Sequence, residues 1–179
     1  MNLNIISGKF GGRLIAAPDG RLTHPMGSRV RGSLFNIIND ELNGAEVLDV
    51  FAGTGSLGLE ALSRGAKYAT FIERDKVASK ILAENIKALG VGELSTAIQI
   101  GARTWIDKNQ DKTFDIIFAD PPYNELQLST VAGLVSLLKP NGLMVLSYPG
   151  RGELPTVQGV VVVDNRSYGT AALTFYRKK

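Results

Sequence analysis

From residue 45 onward the chain alternates between short, largely apolar runs and longer stretches of helical period. The runs AEVLDV (45–50), YATFIE (68–73), STAIQI (95–100) and FDIIFA (114–119) read as strands, with helices predicted over 56–64, 75–89 and 102–109. Strands that are apolar on both faces need cover on both faces, which predicts a parallel sheet between two helix layers. Right-handed crossovers make such a sheet doubly wound. A helix near 126–138 is followed by a further strand, LMVLSY. The last two runs, VQGVVVVDN and TAALTFYRKK, have only RSYG between them, too little for a crossover helix, so they should pair antiparallel. The expected fold class is α/β: a doubly wound, mostly parallel seven-stranded sheet with an antiparallel last strand.

The amino-terminal region follows a different pattern. LNIISG and GRLIAA, joined by KFGG, read as a small β-hairpin arm. A turn-rich loop, PDGRLTHPMG, comes next and contains His24, read as a loop residue. Ser28 is then placed to cap a helix running to about Asn39, with Val30, Leu34, Ile37 and Ile38 at helical spacing. The chain therefore divides into an arm, residues 1–27, and one α/β domain, residues 28–179.

Composition narrows the chemistry. With 179 residues, 44% hydrophobic and 21% charged, the chain has the makings of one soluble domain with a substantial core. No cysteine and a single histidine argue against disulfides, thiolate sites and His-rich metal centres. No apolar run has membrane-spanning length, and the first residues lack the layout of a secretory signal. A cytoplasmic protein without membrane contact, with a monomer as the default, is expected. The net charge is only +3, but Lys9, Arg13, Arg21, Arg29 and Arg31 crowd the first 35 residues against one acid, Asp19. That asymmetry suits a phosphate-rich partner.

Two motifs carry candidate chemistry. DVFAGTGSLGLEAL follows the first parallel strand and opens a helix, and Gly53, Gly55 and Gly58 fit the G-x-G-x-x-G turn. Glycine serves where backbone must turn sharply and let a ligand approach closely. Glu73 ends the next strand, where a carboxylate can accept both hydroxyls of an adenosine ribose. NAD, FAD and S-adenosylmethionine all offer an adenosine to such a site. Asp49, four residues before the first glycine, would repel a pyrophosphate and attract an α-amino group, so the pattern leans towards S-adenosylmethionine.

The second motif is DPPY, residues 120–123, at the end of FDIIFA. The strand after the reversal of order lies beside the first strand, which brings this corner across from the glycine turn. An exocyclic amine is a poor nucleophile because its lone pair is delocalised into the base. The Asp120 carboxylate and the Pro121 carbonyl could accept its two N–H bonds, with Pro122 holding that carbonyl in place and Tyr123 giving an extruded base a stacking face.

DVFAGTGSLGLEAL, FIERD and DPPY resemble motifs of class I S-adenosylmethionine-dependent methyltransferases with a Rossmann-like fold that act on exocyclic amines. With IISGKFGGRLI and SRVRGSLFNII added, the chain resembles, over nearly its whole length, the RsmD family of 16S rRNA (guanine-N2)-methyltransferases. The resemblance implies a cofactor site formed by Asp49, Phe51, Ala52 and the turn residues Gly53, Thr54, Gly55 and Gly58. Glu73, Arg74, Gly101 and Ala102 complete it, and Asp120 to Tyr123 receive the target base. Lys9, Arg13, Arg29 and Arg31 would face ribosomal RNA of the small subunit, the two helix arginines alternatively the cofactor carboxylate. Two departures stand out. The loop THPMGSRVRG lacks the usual threonine and aspartate, and Gly101 replaces an acid that accepts from the adenine amine. A DNA adenine-N6 or cytosine-N4 methylase and a non-catalytic RNA-binding protein of the same fold are the alternatives.

Overall fold

The computed structural model describes residues 1–19, 25–150 and 153–179. The arm is an antiparallel pair, β1 (Asn2–Asn4) and β2 (Leu14–Ala16), with Leu3 opposite Ile15. The main sheet contains β3 (Glu46–Asp49), β4 (Tyr68–Glu73), β5 (Ser95–Gln99), β6 (Phe114–Ala119), β7 (Leu138–Pro149), β8 (Val160–Tyr168) and β9 (Ala171–Lys178). Its order is β5-β4-β3-β6-β7-β9-β8. The first five strands are parallel, and β9 inserts antiparallel between β7 and β8. This is the doubly wound, mostly parallel sheet expected from the pattern, with the reversal of order at β3 and β6.

The helices are α1 (Ser28–Ile37), α2 (Asn39–Leu42), α3 (Ser56–Ser63), α4 (Lys76–Leu89), α5 (Ala102–Lys108) and α6 (Leu128–Gly133). Alternate strand residues serve opposite layers. Val47, Ile116, Phe118 and Val145 join α1, α3 and α4, whereas Leu48, Ile117, Met144 and Leu146 join α5 and α6. Trp105 of α5 is buried against Phe114, as its apolar surroundings suggested.

Three local expectations are corrected. Ser28 does not cap α1; Gly27 holds the N-cap position without a side-chain hydrogen bond, and Ser28 is the first helical residue. The helix predicted over 126–138 is shorter, because α6 tightens into a 3₁₀ turn over Leu134–Leu137. The helix after residue 28 also breaks near Ile38 and resumes as α2. His24 lies outside the described residues.

The arm packs into the main core: Ile5, Phe10 and Ile15 are buried in the cluster built by α1, α3 and α4. Glu60 of α3 has no exposed surface and accepts from the Ile6 and Ser7 amides at 2.8 and 3.1 Å. Ser63 accepts from the Phe10 amide at 2.9 Å, and its carbonyl accepts from Lys9 at 2.7 Å. Gly8, at φ +86°, allows that approach, since a Cβ there would lie 2.0 Å from the Ser63 carbonyl oxygen.

Candidate active site

The turn after β3 and the corner after β6 meet at the carboxyl end of the sheet because those strands are neighbours, with Asp49 level with Phe118. Gly55 sits at φ +89° in the N-cap position of α3. Gly58 is a packing residue, since a Cβ there would fall 2.3 Å from the Phe71 ring. At Gly53, φ +56°, a Cβ would meet nothing, so the turn presents bare backbone to open space.

Asp49 is 1% exposed, and its Oδ2 accepts from the Gly58 amide at 3.0 Å. Among the described residues its Oδ1 is buried without a hydrogen-bond partner. Burial, opposed by the Gly58 bond and reinforced by the charges of Asp120 and Glu73, pushes this carboxyl up to about 7. Glu73 accepts from the Gly53 amide at 2.7 Å with one oxygen and from the Asp75 amide at 2.7 Å with the other, tying β4 to the glycine turn. Ala52 is buried and Phe51 half-buried beside the turn. Thr54 is buried too, and its carbonyl accepts from Asn85 of α4 at 3.0 Å.

Across the reversal, Asp120 is half-buried, and burial raises its carboxyl to about 6 against the lowering effect of the nearby Ser147 hydroxyl. Pro121 is buried and Pro122 exposed; the Pro122 carbonyl accepts from Glu125 in a turn that Pro121 does not enter. Tyr123 is 41% exposed, with its phenol 2.7 Å from the Ser147 hydroxyl. Arg74 pairs with Glu125 at 3.1 Å, bridging the two halves at their rim. Gly101 precedes α5 and Ala102 begins it; a Cβ at Gly101 would find only Thr104 Oγ1, 4.0 Å away.

The basic residues separate into two groups. Lys9, Arg13 and Arg29 are exposed. The two arm cations lie over the Phe10 ring, at 5.6 and 5.9 Å, and Arg13 also donates to the Ala88 carbonyl near the end of α4. Arg29 stands one turn before Ser33, whose hydroxyl bonds Tyr168. Arg31 does not face outward as expected. Its side chain is 1% exposed, donates to the Asn4 and Met26 carbonyls, and lies 3.9 Å from Glu60. It ties β1 to α1 and, with Arg64 at 2.9 Å, faces the buried Glu60 carboxylate, so of the two helix arginines read as facing RNA or the cofactor carboxylate only Arg29 stands at the surface.

Sequence reasoning missed Glu60, Asn85 and Ser147. Asn85 is 3% exposed and accepts from the Ala16 amide at 2.8 Å while donating to the Ala16 and Thr54 carbonyls. One amide thus joins the arm to the glycine turn. Glu60 and Ser147 are polar groups inside apolar stretches, which is the signal that could have found them; Asn85, next to Glu84, carries no such signal.

A cavity of about 290 Å³ at the opposite, amino-terminal edge is lined by Glu41, Asp115 and Asn141 among others. Its charges are paired, Glu41 with Arg177 at 2.7 Å and Asp115 with Lys139 at 3.1 Å. Nothing there competes with the unpartnered Asp49 oxygen as a ligand site.

Residues 3–177 match the family model described as Conserved hypothetical protein 95. Ribosomal RNA small subunit methyltransferase D of Haemophilus influenzae is 31% identical over 98% of this chain and 93% of its own length. The chain belongs to the RsmD family. The Escherichia coli (strain K12) protein of the same name is 36% identical, with 87% of this chain and 79% of that relative aligned. The solved structure of the Escherichia coli protein yhhF superposes with a TM-score of 0.89 at 33% identity, covering 100% of this chain and 99% of that one. RsmD membership accounts for the sheet order. Among the described residues, no helix is long and apolar enough to cross a membrane.

Proposed function

We propose that this protein is an S-adenosylmethionine-dependent methyltransferase acting on the exocyclic N2 amine of a guanine in small-subunit 16S ribosomal RNA. The rRNA methyltransferase names of its relatives support the reaction class and the RNA. The observation that carries the cofactor is the buried, unpartnered Asp49 oxygen beside a bare glycine turn. A buried carboxylate without a counter-charge is costly, and a cationic amine supplies the missing charge. Asp49 would hold the ammonium, Gly53 to Gly55 the methionine portion and Glu73 the ribose, while Ala102 and the open space at Gly101 border the adenine. The bound cofactor supplies an activated methyl on a sulfonium.

The remaining work falls to the protein. Asp120 and the Pro121 carbonyl accept the two N–H bonds of the amine, which turns its lone pair towards the methyl donor. As the nitrogen gains positive charge, the Asp120 carboxylate offsets it and takes the departing proton, a task suited to a carboxyl raised to about 6. Tyr123 gives the base a face. Lys9, Arg13 and Arg29 engage phosphates, and Arg31 supports them from within. Purified protein, labelled cofactor and unmodified small subunits test the reading: label in N2-methylguanine is expected. Its absence where an established relative succeeds overturns the assignment, and label in duplex DNA instead would redirect it to a DNA base.

A further inference from the structure

The corner DPPY is stiff along its backbone, yet proline rings do nothing to fix the Asp120 carboxylate or the Tyr123 ring. The only hydrogen bond from the Tyr123 side chain among the described residues is to Ser147 Oγ, at 2.7 Å. Ser147 is 3% exposed and lies on β7, whose register with β6 sets Ala119 against Leu146. The next residues along are Asp120 and Ser147, so the serine occupies the neighbouring strand beside the acid. Val145 and Leu146, just before it, are buried in opposite helix layers. Such a strand holds its side chains far more firmly than an exposed turn does.

We infer that Ser147 is a positioning residue, whose hydroxyl tethers the Tyr123 phenol to β7 beside Asp120 and so sets ring and carboxylate in one arrangement for a flat aromatic amine. This inference rests on the amine-methylation reading of the site. A serine embedded in apolar β7 otherwise contributes a polar group where valine or isoleucine would bury more area. Without the tether the ring swings freely in its exposed turn, and the base loses a defined stacking plane. Ser147 touches neither cofactor nor base in this account; it acts through Tyr123 and Asp120.

Matched variants separate the hydrogen bond from packing, because threonine and valine share a shape and only threonine keeps the hydroxyl. Ser147→Thr should retain methyl transfer within about threefold, whereas Ser147→Val and Tyr123→Phe should each lose about tenfold in kcat/KM, the worth of one such bond. S-adenosylhomocysteine affinity should stay unchanged in all three. The double variant Ser147→Val with Tyr123→Phe should lose no more than Ser147→Val alone. Equal activity in the valine and threonine variants overturns the inference, and so do losses that multiply.

A second readout needs no turnover. Burial and the Asp120 charge raise the Tyr123 phenol, and the Ser147 bond lowers it. Ser147→Val should therefore move the phenol titration further up and Ser147→Thr should not, as followed by tyrosinate absorbance against Tyr123→Phe. An unmoved titration overturns the tether. A wild-type protein that transfers no methyl overturns the proposed function, and the titration still judges Ser147.

Discussion

The two loops at the carboxyl end of the sheet are held in opposite ways. Around the glycine turn nearly every polar group is tied down: Glu73 accepts from two amides, Asp49 accepts from Gly58, and Asn85 donates to the Thr54 carbonyl. Behind it, Glu60 and Ser63 fasten the arm to α3. Around the proline corner, stiffness comes from the covalent rings of Pro121 and Pro122, and one tether to Ser147 positions an exposed tyrosine. The difference teaches where stability and chemistry reside. The first half is built to exist before anything binds. The second leaves its acid half-buried and its tyrosine exposed.

Replacing Asp120 should break this comparison most visibly. Asp120→Ala is expected to lower methyl transfer by about 10³-fold, while cofactor affinity stays near wild type. Thermal stability should hold or rise at pH 8, because an ionised acid with a raised pKa is a cost to the folded state. A large fall in stability would place the corner with the structural half.

Glu60→Ala makes the reverse prediction. It removes the acceptor of two arm amides and of the Arg64 guanidinium, and the carboxylate that faces buried Arg31, so unfolding free energy should drop by about 3–5 kcal/mol. Denaturant titration measures this. A drop under about 1 kcal/mol would show that the arm is not part of the core's cooperative unit.

Asp49 gives a prediction with two signs. Its folded carboxyl sits at about 7, above its unfolded value, so the folded state binds the extra proton between the two. The ligand-free protein should therefore gain stability from this residue as pH falls from 8 towards 6. Cofactor binding should weaken over the same range, by about tenfold per unit below 7, because a proton competes with the ammonium. Calorimetry at several pH values checks both, and Asp49→Asn should flatten both slopes.

The smallest expected effect is a gain. Gly101→Asp meets no backbone or side chain closer than 4.0 Å at its Cβ, and it puts a carboxylate where the proposed adenine amine would lie. Cofactor affinity should tighten by up to about tenfold, the worth of a hydrogen bond to a charged group. Unchanged affinity would mean that backbone groups at Ala102 already serve the adenine.

The order of strands and helices, the glycine turn and the acid–proline corner were all legible in the sequence, because period and spacing are local properties of the chain. The arm's hairpin was equally plain in its two apolar runs and glycines. Arg31 was misread for a physical reason: a basic residue on a helix near other cations looks solvent-facing until its partner is known. That partner, Glu60, is 29 positions away in the chain and meets it only once α1 packs on α3. Asn85 was invisible for the same reason, since its three hydrogen bonds reach 31 and 69 positions along the chain.

By itself the sequence determined the fold class, the residue types at both loops and the chemistry those types permit, since backbone preferences and functional groups travel with the residues. Tertiary structure alone decided which charges are buried and which carboxylate oxygen has no partner. It also decided that one asparagine joins the arm to the turn and one serine holds the tyrosine. Burial and pairing are set by neighbours distant in the chain, and only the packed core brings those neighbours together.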